Sequence, residues 1–183
     1  VAETVRRLGP LAGKGGRREE YPVVLPEGGE RLTLARPVQA ARLALGYRTC
    51  RVGDPDDYVL DIVEQVLCGG RSSRLVSRLV EQRRLARWVG GQNEARTSLG
   101  HYMIMAELMP GISPSAFEEE LLAEIARLAR DGATRTELEK ARANVTAGYL
   151  YDLERSLSVA TKIGMYEAAG AGYAFAGRLD AQG

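Results

Sequence analysis

Asp54-Pro55-Asp56-Asp57-Tyr58-Val59-Leu60-Asp61-Ile62-Val63-Glu64-Gln65-Val66-Leu67-Cys68-Gly69-Gly70-Arg71-Ser72-Ser73-Arg74-Leu75 is the stretch that decides the fold of this 183-residue chain. Asp54 can cap a helix, Pro55 fits its first position, and Asp56 and Asp57 suit the positive end of its dipole. Val59, Ile62, Val63, Val66 and Leu67 recur at the spacing of one helical face. Gly69-Gly70 ends the helix, because glycine accepts the left-handed backbone that a helix C-terminus needs. A second helix restarts at once, with Ser72 or Ser73 as its cap and Leu75, Val76, Leu79 and Val80 as its apolar face. Two helices in immediate succession break the regular strand–helix alternation of a parallel sheet.

The flanks supply the strands. Upstream, Ala41, Leu43 and Leu45 alternate with less apolar neighbours and predict a strand through Tyr47, and Arg31 to Ala35 alternates likewise. Val23-Val24-Leu25 is a short apolar run closed by the turn signal Pro26-Glu27-Gly28-Gly29. Residues 1–20 read as the end of a preceding helix, with Val1, Val5 and Leu8 on one face, and then a solvated linker, Gly13 to Glu20. The folded domain is expected over residues 21–183, cut short at its C-terminus.

Downstream, Leu85 to Asn93 and Leu99 to Met109 predict two antiparallel strands around Glu94 to Ser98. Ser113-Pro114 opens a helix with Phe117, Leu121, Leu122, Ile125 and Leu128 inward, ending at Asp131-Gly132. Thr134-x-x-Glu137 is a capping box. It starts a helical stretch through Leu138, Ala141, Val145, Tyr149 and Leu153 that restarts near Leu157, before a Gly- and Ala-rich segment at 170–183. The order predicts an α+β fold: a mainly antiparallel sheet with helices packed on one face.

Composition excludes several function classes. With 25 basic and 24 acidic residues the net charge is +1, so no global field draws nucleic acid or an anionic membrane surface. No apolar run is long enough to span a bilayer. Cys50 and Cys68 are too few for a disulfide scaffold and read as buried free thiols, which leaves the compartment open. Val1-Ala2-Glu3-Thr4 has no signal architecture, and the chain reads as a piece of a longer protein.

Catalytic constellations are scarce. His101 is the single histidine, inside a predicted strand beside Tyr102, and neither HExxH nor HxxEH occurs. A zinc centre usually needs two histidines one helical turn apart, so no metal ligand and no catalytic residue is assigned. No serine sits in a G-x-S-x-G elbow. The acidic cluster Asp54, Asp56, Asp57 and Asp61 reads as helix capping with a solvated face. Gly69 to Arg74 reads as a tight helix–helix connection rather than a phosphate cradle. Arg83, Arg84 and Arg87 beside Trp88 form a basic, aromatic patch of the kind that binds single strands. On a near-neutral chain it reads instead as a solvated helix end.

Several of these segments together resemble a known family. Asp57-Tyr58, then Leu67-Cys68-Gly69-Gly70-Arg71-Ser72-Ser73-Arg74-Leu75, then Leu79-Val80-Glu81-Gln82-Arg83-Arg84-Leu85-Ala86 are similar to the D-Y, L-G-G-G-x-S-S-R-L and L-R-E-x-x-G-L-A-Y segments of insulinase/pitrilysin and mitochondrial-processing-peptidase-type domains. Pro37-Val38-Gln39, Leu45-Gly46-Tyr47 and Gly132 to Ala141 fit the family's flanking segments. The resemblance spans about residues 21–170. It implies α+β domains that occur in pairs around a peptide-binding chamber. One domain carries zinc on HxxEH; the second lacks zinc and supplies wall surface. Lacking HxxEH, this chain resembles the second kind, with no cofactor of its own.

The resemblance therefore implies zinc in a homologous partner domain or subunit, and a peptide substrate. Many members also supply an Arg and a Tyr seven residues apart. Here those positions hold Val80 and Arg87, so the pair does not carry over. Divided labour between subunits and a member without peptidase activity both fit. Arg87, Trp88 and His101 are the candidate substrate contacts, chosen for their place beside the lost pair and on neighbouring strands. The alternative is a structural subunit domain without peptidase activity.

Overall fold

The structure, a computed structural model, describes Arg6 and residues 28–169. The chain divides into two compact units, Val1–Leu34 and Ala35–Gly183. Apart from Arg6, the features expected at residues 1–20, 23–25 and 170–183 lie outside the described residues. The strand expected at Arg31 to Ala35 does not form, and residues 29–38 hold no regular structure. Two apolar side chains, Leu32 and Leu34, offer little burial against the roughly 1–2 kcal/mol per residue that backbone ordering costs.

The second unit runs β1 (Arg42–Thr49), α1 (Pro55–Cys68), a π-helix (Val76–Gln82), β2 (Ala86–Glu94), β3 (Gly100–Leu108), α2 (Pro114–Asp131), α3 (Arg135–Leu153) and α4 (Ser156–Ala169). Its antiparallel sheet has the order β1-β3-β2, so the last strand in sequence is central. The expected α+β class, an antiparallel sheet with helices, is observed.

β3 explains the layering. Gly100, Tyr102, Ile104, Ala106 and Leu108 are buried and alternate with half-buried His101, Met103, Met105 and Glu107. The buried face joins Leu67, Leu75, Leu79, Phe117 and Leu121 in one core. On the other face the described side chains are half-buried or exposed. Leu122, expected inward, is 40% exposed, while Glu124 is buried. Glu124 is accepted there because Arg78 and Arg127 lie 3.6 and 2.9 Å from its carboxylate.

The helix ends depart from expectation in detail. Asp54 occupies the N-cap position of α1 without a side-chain cap bond. Its carboxylate accepts instead from the Arg51 backbone N–H at 3.3 Å. Gly70, at φ +94°, takes the left-handed backbone after α1. Neither serine caps the π-helix: Ser73 Oγ donates to the Gly70 carbonyl at 2.6 Å, and Ser72 Oγ accepts from Lys140. This second helix is wider than expected, with Arg83 N–H bonding back to the Arg78 carbonyl at 3.0 Å. At the start of α3 the capping box forms, Thr134 and Glu137 each bonding the other's backbone N–H.

Candidate functional site

The open sheet face carries the candidate residues. Opposed pairs on this face are Arg42 with Glu107, Ala44 with Met105, Gly46 with Met103, and Arg48 with His101. From β2, Trp88, Gly90, Gln92 and Glu94 oppose Glu107, Met105, Met103 and His101. Met103 and Met105 thus form a central apolar strip with charged groups at both ends.

At one end, a bulge between Ala86 and Trp88 leaves Arg87 without a partner in the ladder. Its guanidinium reaches Glu107 at 3.6 Å, while Arg42 donates to the same carboxylate at 3.1 and 3.2 Å. Trp88 is 50% exposed. Its indole lies over Gly90, where a Cβ would collide with the ring. Glycine at 90 is therefore what lets the ring lie along the strand.

His101 sits at the other end, with Nε2 3.4 Å from Glu94, which also pairs with Arg96 at 2.6 Å. It lies six positions along β3 from Glu107, the residue facing Trp88, about 20 Å at a strand's rise. Arg87, Trp88 and His101 therefore share a face, yet the structure brings only the first two together. Val80, one of the two positions that the resemblance aligned with the Arg/Tyr pair, packs against the core.

Sequence reasoning missed Arg42, Glu107, Met103 and Met105. Their signal lies in the period-two alternation of β3, whose exposed half carries them as surely as its buried half carries the core. Sequence reasoning also takes the α1 carboxylates as solvated. Asn93 Nδ2 instead donates to Asp57 at 2.9 Å and Asp61 at 3.0 Å, and its backbone N–H donates to Glu64 at 3.0 Å. Burial raises all three carboxyls above their ordinary range, and the Asn93 bonds oppose the shift.

The nucleophile and metal options narrow further. Burial pushes the Cys68 thiol up to about 12, so it is not a thiolate at neutral pH. Both cysteines are free and half-buried rather than fully buried. Among the described residues, no group of three or more His, Cys, Asp or Glu has the geometry to hold a metal ion. None of their helices is long and apolar enough to cross a membrane. Arg83, expected at a solvated helix end, pairs with Glu120 at 3.0 Å.

The family profile of the peptidase M16 inactive domain matches residues 4–145. The chain is 30% identical over 118 residues to the zinc protease PqqE of Helicobacter pylori, covering 64% of this chain and 27% of that protein. It is 28% identical over 141 residues to the uncharacterised zinc protease YmxG of Bacillus subtilis, covering 75% and 34%. The chain thus spans about a third of these relatives. Its fold is similar to an inactive peptidase domain from Bordetella parapertussis, with a TM-score of 0.68, 25% identity, and 79% and 78% of the two chains covered.

Proposed function

The chain belongs to the peptidase M16 inactive-domain family, and from that premise we propose that it is the non-catalytic domain of a zinc-dependent metalloendopeptidase. In this reading it encloses peptide substrate and mediates domain or subunit assembly. A homologous domain or subunit supplies HxxEH and the zinc, which activates the hydrolytic water.

One observation carries the reading: among the described residues the helices pack on one face of the sheet, and the other face bears Trp88, Met103 and Met105 between charged ends. An extended peptide can lie across such a face or add to an edge strand, with alternate side chains meeting the apolar strip. Arg87, Trp88 and His101 are proposed as its contacts. With about 20 Å between its ends, the face suits a segment of about six extended residues rather than one side chain.

The test is reconstitution. Peptide hydrolysis by the zinc-bearing homologous half is measured with and without this chain, and then with Arg87, Trp88 and His101 replaced together by alanine. The proposal expects the chain to raise hydrolysis and the triple variant to raise KM. Assembly without any gain in hydrolysis would favour the structural-subunit reading, to which Val80 and Arg87 in place of the Arg/Tyr pair also lend themselves.

A further inference from the structure

Arg42, Glu107 and Arg87 are unevenly matched. One carboxylate faces two guanidiniums on a surface where Arg42 is 81% exposed, Arg87 58% and Glu107 26% by side chain. Arg42 makes proper hydrogen bonds to Glu107, but Arg87 stands 3.6 Å away, beyond hydrogen-bonding distance. Arg87 therefore keeps guanidinium donors available to a second carboxylate, which a guanidinium can bind bidentately. The neighbouring residue is Trp88, whose indole is held along the strand over Gly90 and is half exposed. A rigid aromatic surface beside an under-neutralised guanidinium recognises an apolar side chain next to an acidic one.

Resting on the peptide-wall reading above, we infer that this end of the open face selects acidic peptide segments. A substrate carboxylate competes with Glu107 for Arg87 and Arg42, and an adjacent apolar side chain stacks on Trp88. The Met103 and Met105 strip continues the apolar surface along the same peptide. A polynucleotide fits less well: Glu107 stands in the middle of the patch, and the chain as a whole carries a net charge of only +1.

Trp88 is the chain's single tryptophan, so its fluorescence reports this end of the face alone. The chain is titrated at low salt with acetyl-Phe-Glu-Phe-Glu-Phe-amide and with the same peptide carrying Lys for Glu. The expected result is a saturable change in Trp88 emission with the glutamate peptide and binding about two- to fivefold weaker with the lysine peptide, the scale of exposed charge pairs. Glu107→Gln, which removes the internal competitor while keeping its shape, should tighten the glutamate peptide about two- to fivefold. Arg87→Ala and Arg42→Ala should each weaken it by a similar factor, with far-UV circular dichroism unchanged.

Equal binding of both peptides, or indifference to Glu107→Gln and Arg87→Ala, overturns the acidic selectivity while leaving a peptide wall intact. If a short oligothymidylate changes the emission more strongly than the glutamate peptide does, the face is a nucleic-acid surface and the inference is wrong. If neither peptide changes it, the peptide-wall reading fails at this end as well.

Discussion

Asn93 joins the sheet edge to α1 by donating from its side chain to Asp57 and Asp61 and from its backbone to Glu64. Asn93→Ala removes the side-chain bonds and leaves partly buried carboxylates short of donors. It should destabilise the chain by about 1–3 kcal/mol, read as a lower urea midpoint at unchanged slope. Glu137 titrates in the opposite sense to these carboxyls. The Arg74 guanidinium, bonded at 2.7 and 2.8 Å, holds its carboxyl down at about 2.

A depressed carboxyl stabilises the fold above its unfolded value and loses that contribution as pH falls through the folded one. The stability difference between wild type and Glu137→Gln should thus be full near neutral pH and vanish as pH falls from the ordinary carboxylate range of 4.5 toward about 2. Asp57, Asp61 and Glu64 are raised, so their contribution falls as pH rises above 3.8 and 4.5. Urea denaturation of both variants across this range separates the two signs.

At the scale of elements, the segment from Gly70 to Leu85 couples α1 to β2. Leu75 and Leu79, both fully buried, anchor it, and Arg74, Arg78 and Arg83 tie it to Glu137, Glu120 and Glu124. Leu79→Ala should cost about 2–5 kcal/mol in urea unfolding, as large-to-small core changes do. Gly90→Val tests a local dependence. The added side chain needs the space of the Trp88 ring, so Trp88 emission should shift toward that of a fully solvated indole while the far-UV spectrum stays native.

The limits of sequence reading show in the same elements. β1, β2, β3 and the main helices are legible because their apolar periods differ, two against 3.6. The π-helix is not, since Leu75, Val76, Leu79 and Val80 keep the same face in either helix, and only the bond from Arg83 to Arg78 distinguishes them. Leu122 and Glu124 exchange their expected places because Glu124 gains two arginine partners, one of them distant in sequence, which no local pattern records. The patch around Glu107 is hidden for a related reason. Arg42 and Arg87 are 45 residues apart in sequence and meet only through the β1-β3-β2 strand order.

At the scale of the whole molecule, the central claim is a domain that handles peptide while zinc resides elsewhere. Family membership and the helix-backed sheet are observed; enclosure, assembly and the zinc-bearing partner are proposed from them. His101, the one imidazole in the chain, contacts Glu94 at the end of a strand and joins no ligand cluster among the described residues. The most direct measurement is elemental analysis of zinc in the purified chain after dialysis against trace zinc. The expected result is far less than one zinc per chain. One tightly held zinc per chain would mean that His101 has ligands within this domain, and would contradict the assignment of the metal to another.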